Sequence, residues 1–169
     1  MAVFSKKLVI VNGTMGVGKT TVCNCLKQRL QPCFFLDGDW CWDMAPFTVS
    51  EENKKMVVDN IVYLLNSFLA NPFSRTVLFC WVLPDETIID KITGRLTGTP
   101  FSIIRVSLFC SPEILVQRLK QRENIKKENI DQSLAYLSKY QDMNTIKINT
   151  DHLNAEQTAE QIHQIIMNM

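Results

Sequence analysis

The chain has 169 residues, of which 46% are hydrophobic and 21% charged, so it can bury one sizeable core. Its 18 basic and 17 acidic residues leave a net charge of +1, which argues against nucleic-acid binding by bulk positive charge. The longest apolar run, 77–83, is too short to cross a bilayer, so we expect no membrane partner. The six cysteines form no CxxC pair, as is typical of free thiols in a reducing cytoplasm. We therefore predict a single cytoplasmic domain over residues 1–169 that is a monomer or a weak dimer.

Short aliphatic runs alternate with stretches of helical periodicity along the chain. The predicted strands are residues 8–11, 33–36, 76–82, 103–109 and 145–148. The predicted helices are residues 20–30, 51–70, 85–96, 112–122, 131–143 and 155–169. The second helix has Ser50 as its cap and ends at Asn71-Pro72. This alternation predicts an α/β fold in which helices cover both faces of a five-stranded parallel sheet.

The most informative motif follows the first predicted strand and opens the first predicted helix. Residues 13–20 read Gly-Thr-Met-Gly-Val-Gly-Lys-Thr and match the phosphate-loop pattern GxxxxGK[ST]. The glycines let backbone N–H groups point at an anion, and the helix adds its positive end. Lys19 would reach the β- and γ-phosphates of ATP, and the Thr20 hydroxyl would bind Mg²⁺. The predicted ATP-binding residues are Gly13, Thr14, Met15, Gly16, Val17, Gly18, Lys19, Thr20 and Thr21.

Three classes of phosphate-loop protein are compatible with this motif: small-molecule or nucleotide kinases, GTPases, and ATP-driven motors or regulatory modules. Guanine specificity usually requires an Asn-Lys-x-Asp loop, which the sequence lacks. A motor needs more chain than 169 residues to couple hydrolysis to movement. These observations favour a kinase, with an ATP-binding regulatory module that has no phosphoryl acceptor as the alternative.

Two carboxylates flank Gly38 at the carboxyl end of the second predicted strand. Asp37 and Asp39 lie two residues apart, so an extended segment would place both on one side. Ligands of open α/β sheets bind at this edge, and phosphoryl transfer needs metal ligands and a carboxylate near the acceptor hydroxyl. Asp37 would bind Mg²⁺ or act as the base, and Asp39 would hold the acceptor or act as the base. A plain Asp-Gly turn is the competing interpretation.

Together these motifs resemble the small P-loop kinases, which include shikimate, gluconate and nucleoside-monophosphate kinases and antibiotic-modifying phosphotransferases. The pattern is also similar to bacterial proteins described as nucleotide kinases or AAA-type ATP-binding proteins. The matching stretches are 13–20, 36–42, 79–82 and 146–150. The resemblance implies a three-layer P-loop fold, ATP and Mg²⁺ as cofactors, and a small-molecule phosphoryl acceptor. From the shikimate-kinase branch, it also implies that one of Asp37 and Asp39 lies near Mg²⁺ and the other on the acceptor.

The same resemblance implies a lid that brings arginines over the transferred phosphate. We place this lid at residues 118–130, with 123–129 as its mobile part. Arg118 and Arg122 lie four residues apart on a predicted helix and share its more apolar half, which favours an orientation toward the active site. Two arginines that snorkel from the end of a packed helix are equally compatible with the pattern. The predicted catalytic residues are thus Lys19, Asp37, Asp39, Arg118 and Arg122.

The third predicted strand departs from the family pattern. No aspartate follows it directly, so the usual second metal-binding aspartate is missing or displaced to Asp85. This makes Asp37 the expected Mg²⁺ ligand and leaves a weakened activity open.

Two further features of the sequence have competing interpretations. Trp40, Trp42 and Trp81 would wall an acceptor pocket or would belong to the core. Residues 149–151 resemble the loop that wraps adenine, although Asp151 or Asn154 could instead cap the last helix.

Overall fold

The computed structural model describes residues 6–98 and 100–169. The strands in these ranges are β1 (Lys6–Asn12), β2 (Cys33–Asp37), β3 (Thr76–Trp81), β4 (Phe101–Phe109) and β5 (Ile146–Asn149). The helices are α1 (Lys19–Arg29), α2 (Glu51–Ala70), α3 (Glu86–Thr93), α4 (Pro112–Lys120), α5 (Lys127–Asp142) and α6 (Ala155–Asn168), with a 3₁₀ helix over Gly38–Trp42. None of the helices in the described ranges combines the length and the apolar character that a membrane crossing requires.

The strands form one parallel sheet in the order β2-β3-β1-β4-β5, which confirms the predicted α/β fold. β1 lies at the centre, and its residues 8–11 are at most 1% exposed. Leu8 and Ile10 pack under α2 and α3, whereas Val9 and Val11 pack under α1 and α6. Successive side chains of a strand point to opposite faces of the sheet. Because helices cover both faces here, the side chains of residues 8–11 are all buried, and this part of β1 shows no alternation of apolar and polar residues.

Helix α4 is shorter than its sequence predicts. It ends at Lys120 instead of residue 122, and the backbone N–H of Arg122 donates to the Leu119 carbonyl in the turn that follows. The expectation that Arg118 and Arg122 share one helix face is therefore wrong. Only Arg118 belongs to the helix.

Helix α5 is longer than its sequence predicts. It begins at Lys127, four residues before the predicted start at 131, because the Asn129 side chain accepts a hydrogen bond from the Lys126 backbone N–H at 3.3 Å. Such a side chain satisfies an N–H group that the first turn would otherwise leave unpaired. Residues 127–129 are thus helical and do not belong to a loop. The role of 118–130 as a lid stays a prediction.

The parallel register brings the ends of three strands to one place. Asp37 at the end of β2 pairs with Cys80 of β3, and Cys80 pairs with Val11 of β1. The loop after β1, the turn after Asp37 and Trp81 at the end of β3 consequently meet at the carboxyl edge of the sheet. Open α/β sheets bind their ligands at this edge.

Candidate active site

Residues 13–18 connect β1 to α1 as a tightly curled loop. Gly13 has φ of 148° and Gly16 has φ of 91°, a region that residues with a Cβ rarely adopt. A Cβ on Gly13 would lie 2.6 Å from the Leu108 carbonyl oxygen, and a Cβ on Gly16 would lie 2.7 Å from the Leu119 side chain. The predicted phosphate loop is therefore formed, and glycine is required at both positions by the backbone and by its neighbours.

Lys19 is the first residue of α1 and reaches back across this loop. Its ammonium donates to the Thr14 carbonyl at 3.0 Å. Burial lowers the pKa of Lys19 below its ordinary value, and the nearby carboxylates of Asp39 and Asp37 partly oppose that shift. A cation that is held in a cleft without a carboxylate in direct contact is arranged to receive an anion.

Thr20 and Asp37, the two predicted Mg²⁺ ligands, are in direct contact. The Thr20 hydroxyl donates to Asp37 Oδ2 at 2.6 Å, and the Asp39 backbone N–H donates to Asp37 Oδ1 at 3.1 Å. Asp37 is only 4% exposed, so these two bonds orient a carboxylate that has little access to water. Hydroxyl and carboxylate oxygens are suitable ligands for Mg²⁺, which usually keeps waters and phosphate oxygens as its other ligands. The pair therefore fits the expected metal.

Asp39 is open to solvent and faces the cleft. Its Oδ1 accepts a hydrogen bond from the Trp81 indole N–H at 3.1 Å. Partial burial, followed by the negative charge of Asp37, raises the pKa of the Asp39 carboxyl. The two aspartates are thus different in kind, since Asp37 is buried and bonded through both oxygens while Asp39 has an oxygen available.

A cleft of about 240 Å³ brings most of the predicted site residues together. It is lined by Met15, Gly16, Gly18, Lys19, Thr20, Thr21, Asp39, Val82 and Arg122. Arg122 reaches this cleft from the turn after α4, so it lies on the same side as Lys19.

A second cavity of about 260 Å³ adjoins the first, because Gly18 and Thr21 line both. It is lined by Val17, Gly18, Thr21, Val22, Arg118, Thr150, Asn154, Ala155 and Thr158. The Arg118 guanidinium donates to the Thr150 hydroxyl at 2.9 Å, to the Thr150 carbonyl at 2.7 Å and to the Val17 carbonyl at 3.3 Å. The structure thus separates the two predicted arginines, with Arg122 in the first cleft and Arg118 in the second cavity.

The loop 149–151 contributes to this second cavity through Thr150. Asp151 does not cap α6, because its carboxylate accepts from the Ser111 N–H at 2.7 Å. Asn154 is the cap, and its side chain accepts from the Gln157 N–H at 2.9 Å. The loop therefore lines a cavity and also accepts a hydrogen bond from Ser111, the residue that precedes α4.

Asp85 does not replace the missing aspartate of the third strand. Its carboxylate caps α3 by accepting from the Thr87 N–H at 2.8 Å. The strand position in register with Asp37 is taken by Cys80, which is fully buried. A hydrogen bond to Cys23 and burial raise the pKa of the Cys80 thiol, so it stays neutral beside Lys19.

Several positioning contacts come from α5 and were not predicted. The Tyr140 hydroxyl donates to the Val82 carbonyl at 2.6 Å, and the Thr14 hydroxyl donates to the Ser133 carbonyl at 2.9 Å. One helix thereby holds both the phosphate loop and the segment after β3. Helical periodicity could indicate that Tyr140 is buried, but its partner is a backbone atom far away in sequence, which no local pattern encodes.

We expect Asp39→Asn to stabilise the unliganded protein at neutral pH. Because the folded-state pKa of Asp39 is raised above its ordinary value of 3.8, the protonated form is favoured by folding. The stabilisation that comes from an uncharged side chain at position 39 is fully present below about pH 3.8 and is lost as the pH rises through the folded pKa. Asparagine is neutral at every pH and keeps this stabilisation. The gain is small, since Asp39 is exposed, and it should disappear as the pH falls toward about 4.

Urea unfolding of both proteins at neutral and at acidic pH measures this difference. A gain in the free energy of unfolding that does not shrink on acidification would contradict the assigned cause.

The sheet order and the phosphate loop after β1 are those of the small P-loop kinase fold. Residues 9–137 match the AAA domain family, and the chain belongs to that family. A search of curated protein sequences gives no significant match.

Solved structures with this fold include enzymes of several kinds. The chain is similar to the tunicamycin resistance protein of Deinococcus radiodurans, with a TM-score of 0.68, 17% identity and 95% of each chain covered. For a gluconokinase of Sinorhizobium meliloti 1021 the TM-score is 0.67 at 15% identity, over 98% of this chain and 95% of that one. For the shikimate kinase of Acinetobacter baumannii in complex with shikimate, the TM-score is 0.64 at 24% identity, over 97% of this chain and 94% of that one. At these identities the likeness shows the shared fold.

Proposed function

We propose that this protein is an ATP-dependent phosphotransferase that moves the γ-phosphoryl group of ATP to a hydroxyl group of a small molecule. One observation carries the proposal: a single cleft contains Lys19, Thr20, Asp39 and Arg122, with Asp37 bonded to Thr20. Binding of ATP accounts for Lys19 and for the Thr20–Asp37 pair. ATP binding does not account for Asp39, an additional carboxylate that is open to the cleft. Phosphoryl transfer to an acceptor does require such a carboxylate.

The two cavities divide ATP between them in this proposal. The loop amides, the start of α1 and Lys19 hold the phosphates, and Arg122 contacts the transferred group through its paired N–H donors. The adenosine part occupies the second cavity, where Arg118 and Thr150 lie. Arg118 thus serves nucleoside binding and does not close over the transferred phosphate.

Thr20 and Asp37 are the proposed protein ligands of Mg²⁺. When bound with ATP, the ion supplies positive charge that offsets the charge on the phosphate oxygens during transfer. The backbone N–H of Asp39 orients the Asp37 carboxylate, whose other oxygen lies at the Thr20 hydroxyl.

Asp39 is the proposed base. Both oxygens of Asp37 accept hydrogen bonds, whereas among the described residues only the Trp81 N–H donates to the Asp39 carboxylate. The acceptor oxygen bonds to the γ-phosphorus, the bond from that phosphorus to the β–γ bridging oxygen breaks, and ADP leaves. The proton of the acceptor hydroxyl passes to Asp39, whose raised pKa suits proton uptake.

The names of the similar structures support small molecules as the acceptor class. They include a gluconokinase, a shikimate kinase with shikimate and a tunicamycin resistance protein. We also propose a cytoplasmic location, which the buried free thiols of Cys23, Cys80 and Cys110 support.

An ATP-binding regulatory module is the second candidate function. It is favoured by Cys80, a neutral thiol at the strand position in register with Asp37. A site with one metal-binding carboxylate could hold ATP and turn it over slowly.

The rate of ADP formation distinguishes the two candidates. We expect that pooled sugars, hydroxy acids, nucleosides, nucleotides and aminoglycoside-like compounds include one pool that accelerates ADP formation. A product heavier than its parent by one phosphoryl group should then be visible by mass spectrometry. Saturable ATP binding without acceleration by any pool would favour the regulatory module.

A further inference from the structure

The acceptor side of the cleft is formed by the turn after β2 and by the end of β3. The Trp81 indole contacts Asp39 through its N–H, and Val82 beside it lines the cleft. Gly38 lies flat against the same indole, since a Cβ on Gly38 would be 2.4 Å from the Trp81 Cγ. The Trp81 indole is therefore the aromatic side chain nearest to the Asp39 carboxylate through a direct hydrogen bond.

The two chain segments that carry Asp39 and Trp81 have no positive charge of their own, and Lys139 of α5 faces Asp85 and Glu86 across a neighbouring cavity. Residues 37–53 and 81–90 contain eight carboxylates and no Lys, Arg or His. The next two residues, Lys54 and Lys55, form surface ion pairs with Glu51 and Asp59. Among the described residues, the cations that line the cleft are Lys19 and Arg122, and the phosphates of ATP require both.

An anionic acceptor would therefore face Asp39, with Asp37 behind it, while Lys19, Arg122 and the Mg²⁺ that Thr20 and Asp37 would hold are engaged by the phosphates of ATP. Burying a charged group without a partner is strongly unfavourable. The same carboxylates attract a cationic acceptor and accept hydrogen bonds from the hydroxyl groups of a neutral one.

A row of aromatic rings extends from Trp81 away from Asp39 on the acceptor side of the cleft. The ring centroids of Trp81 and Trp42 are 6.3 Å apart, and those of Trp42 and Phe47 are 5.8 Å apart. Among the described residues, no partner accepts from the buried Trp42 indole N–H. Trp40, by contrast, packs edge-on against Phe35 and is not part of this row. Aromatic faces bind the flat apolar faces of ring compounds, and they also attract cations.

From this charge distribution and this row of rings, we infer that the acceptor is a non-anionic ring compound, such as a nucleoside or an aminated sugar. Its ring packs on Trp81, and its reactive hydroxyl lies at Asp39. Carboxylate and phosphate compounds should be poor acceptors, because the described lining of the cleft offers them no cation besides Lys19 and Arg122. This inference rests on the proposed phosphotransferase function and defines its substrate class.

Two acceptor pools that differ in charge test the inference on the unmodified protein. One pool contains nucleosides, hexoses and amino sugars, and the other contains the corresponding nucleoside monophosphates and sugar acids together with shikimate. We expect the first pool to accelerate ADP formation at least tenfold more than the second. Acceleration by the anionic pool would overturn the inference and leave the proposed function intact. Acceleration by neither pool would count against the proposed function and against the inference with it.

Trp81→Leu tests the proposed contact with the acceptor once an active pool is known. We expect the KM for the acceptor to rise at least tenfold while the KM for ATP stays unchanged, which also shows that the variant is folded. Trp81→Phe keeps a ring against Gly38 and should have a smaller effect. Phe73→Leu is the matched control, because Phe73 is 71% exposed and lies in the turn after α2. An acceptor KM that is unchanged in both Trp81 variants would overturn the inference.

Discussion

Lys19→Ala is expected to lower ATP turnover by at least about 100-fold, the size of effect that follows loss of one charge-stabilising donor. The Lys19 ammonium lies across the phosphate loop and bonds to the Thr14 carbonyl, so it is already positioned where the β- and γ-phosphates would lie. Alanine removes this charge, and no other lysine lines the cleft among the described residues.

The same change should not unfold the protein. Burial lowers the pKa of Lys19, which means that holding the charged ammonium in the cleft is unfavourable in the absence of a ligand. We expect the free energy of unfolding, measured with urea, to be unchanged or slightly higher. The contrast between lost turnover and retained stability identifies a functional lysine.

Lys55→Ala is the matched control for this experiment. Lys55 forms an exposed ion pair with Asp59 on α2, and such pairs contribute little to stability because water screens them. Its removal should leave turnover unchanged. If Lys19→Ala turns over ATP as fast as the parent protein, the phosphate loop does not act as proposed.

Asp37→Asn is expected to lower turnover by about 100-fold or more while ATP binding is mostly kept. Asparagine has nearly the same shape: its oxygen can accept from the Asp39 N–H while its amide donates to the Thr20 hydroxyl oxygen, so the local structure should survive. It has no negative charge, however, and is a poor ligand for Mg²⁺. Isothermal titration with ATP and steady-state rates at increasing magnesium concentration separate binding from turnover.

Asp85→Asn is the matched control for Asp37→Asn, because it makes the same chemical change at the end of the neighbouring strand. Asp85 caps α3, and asparagine is about as good a cap, so stability should change little. Turnover should stay at the parent level. A larger loss of turnover in Asp85→Asn than in Asp37→Asn would show that the metal ligand has been assigned to the wrong strand.

The sequence predicts the parts of the site that are local in the chain. The glycines of residues 13–18, Lys19 and Thr20 belong to one loop and one helix start, so their spacing alone determines how they lie together. Asp37 and Asp39 follow a strand whose apolar character places it inside the sheet. Neighbouring residues constrain each other strongly, and for this reason these predictions need no knowledge of the rest of the fold.

The two arginines show where local reasoning fails. Arg118 and Arg122 share a face only if α4 continues to residue 122, and the helix ends at Lys120 instead. Where a helix ends depends on the partners available to its last turn, and here Arg118 donates three hydrogen bonds to oxygen atoms of Val17 and Thr150. Those partners are distant in sequence, so no spacing rule reports them.

By itself, the sequence determined the α/β class, the position of the phosphate loop and the two aspartates, since periodicity and short motifs encode features within a few residues. Only the tertiary structure decided that Asp85 caps a helix, that Arg118 and Arg122 lie in different cavities, and that Trp81 lies against Asp39. These facts depend on the order of the strands and on long-range hydrogen bonds, which arise only when distant segments pack together. The charge of +1 argued against bulk charge as a means of binding but did not locate the site, because function here depends on where the cations and carboxylates converge and not on their total.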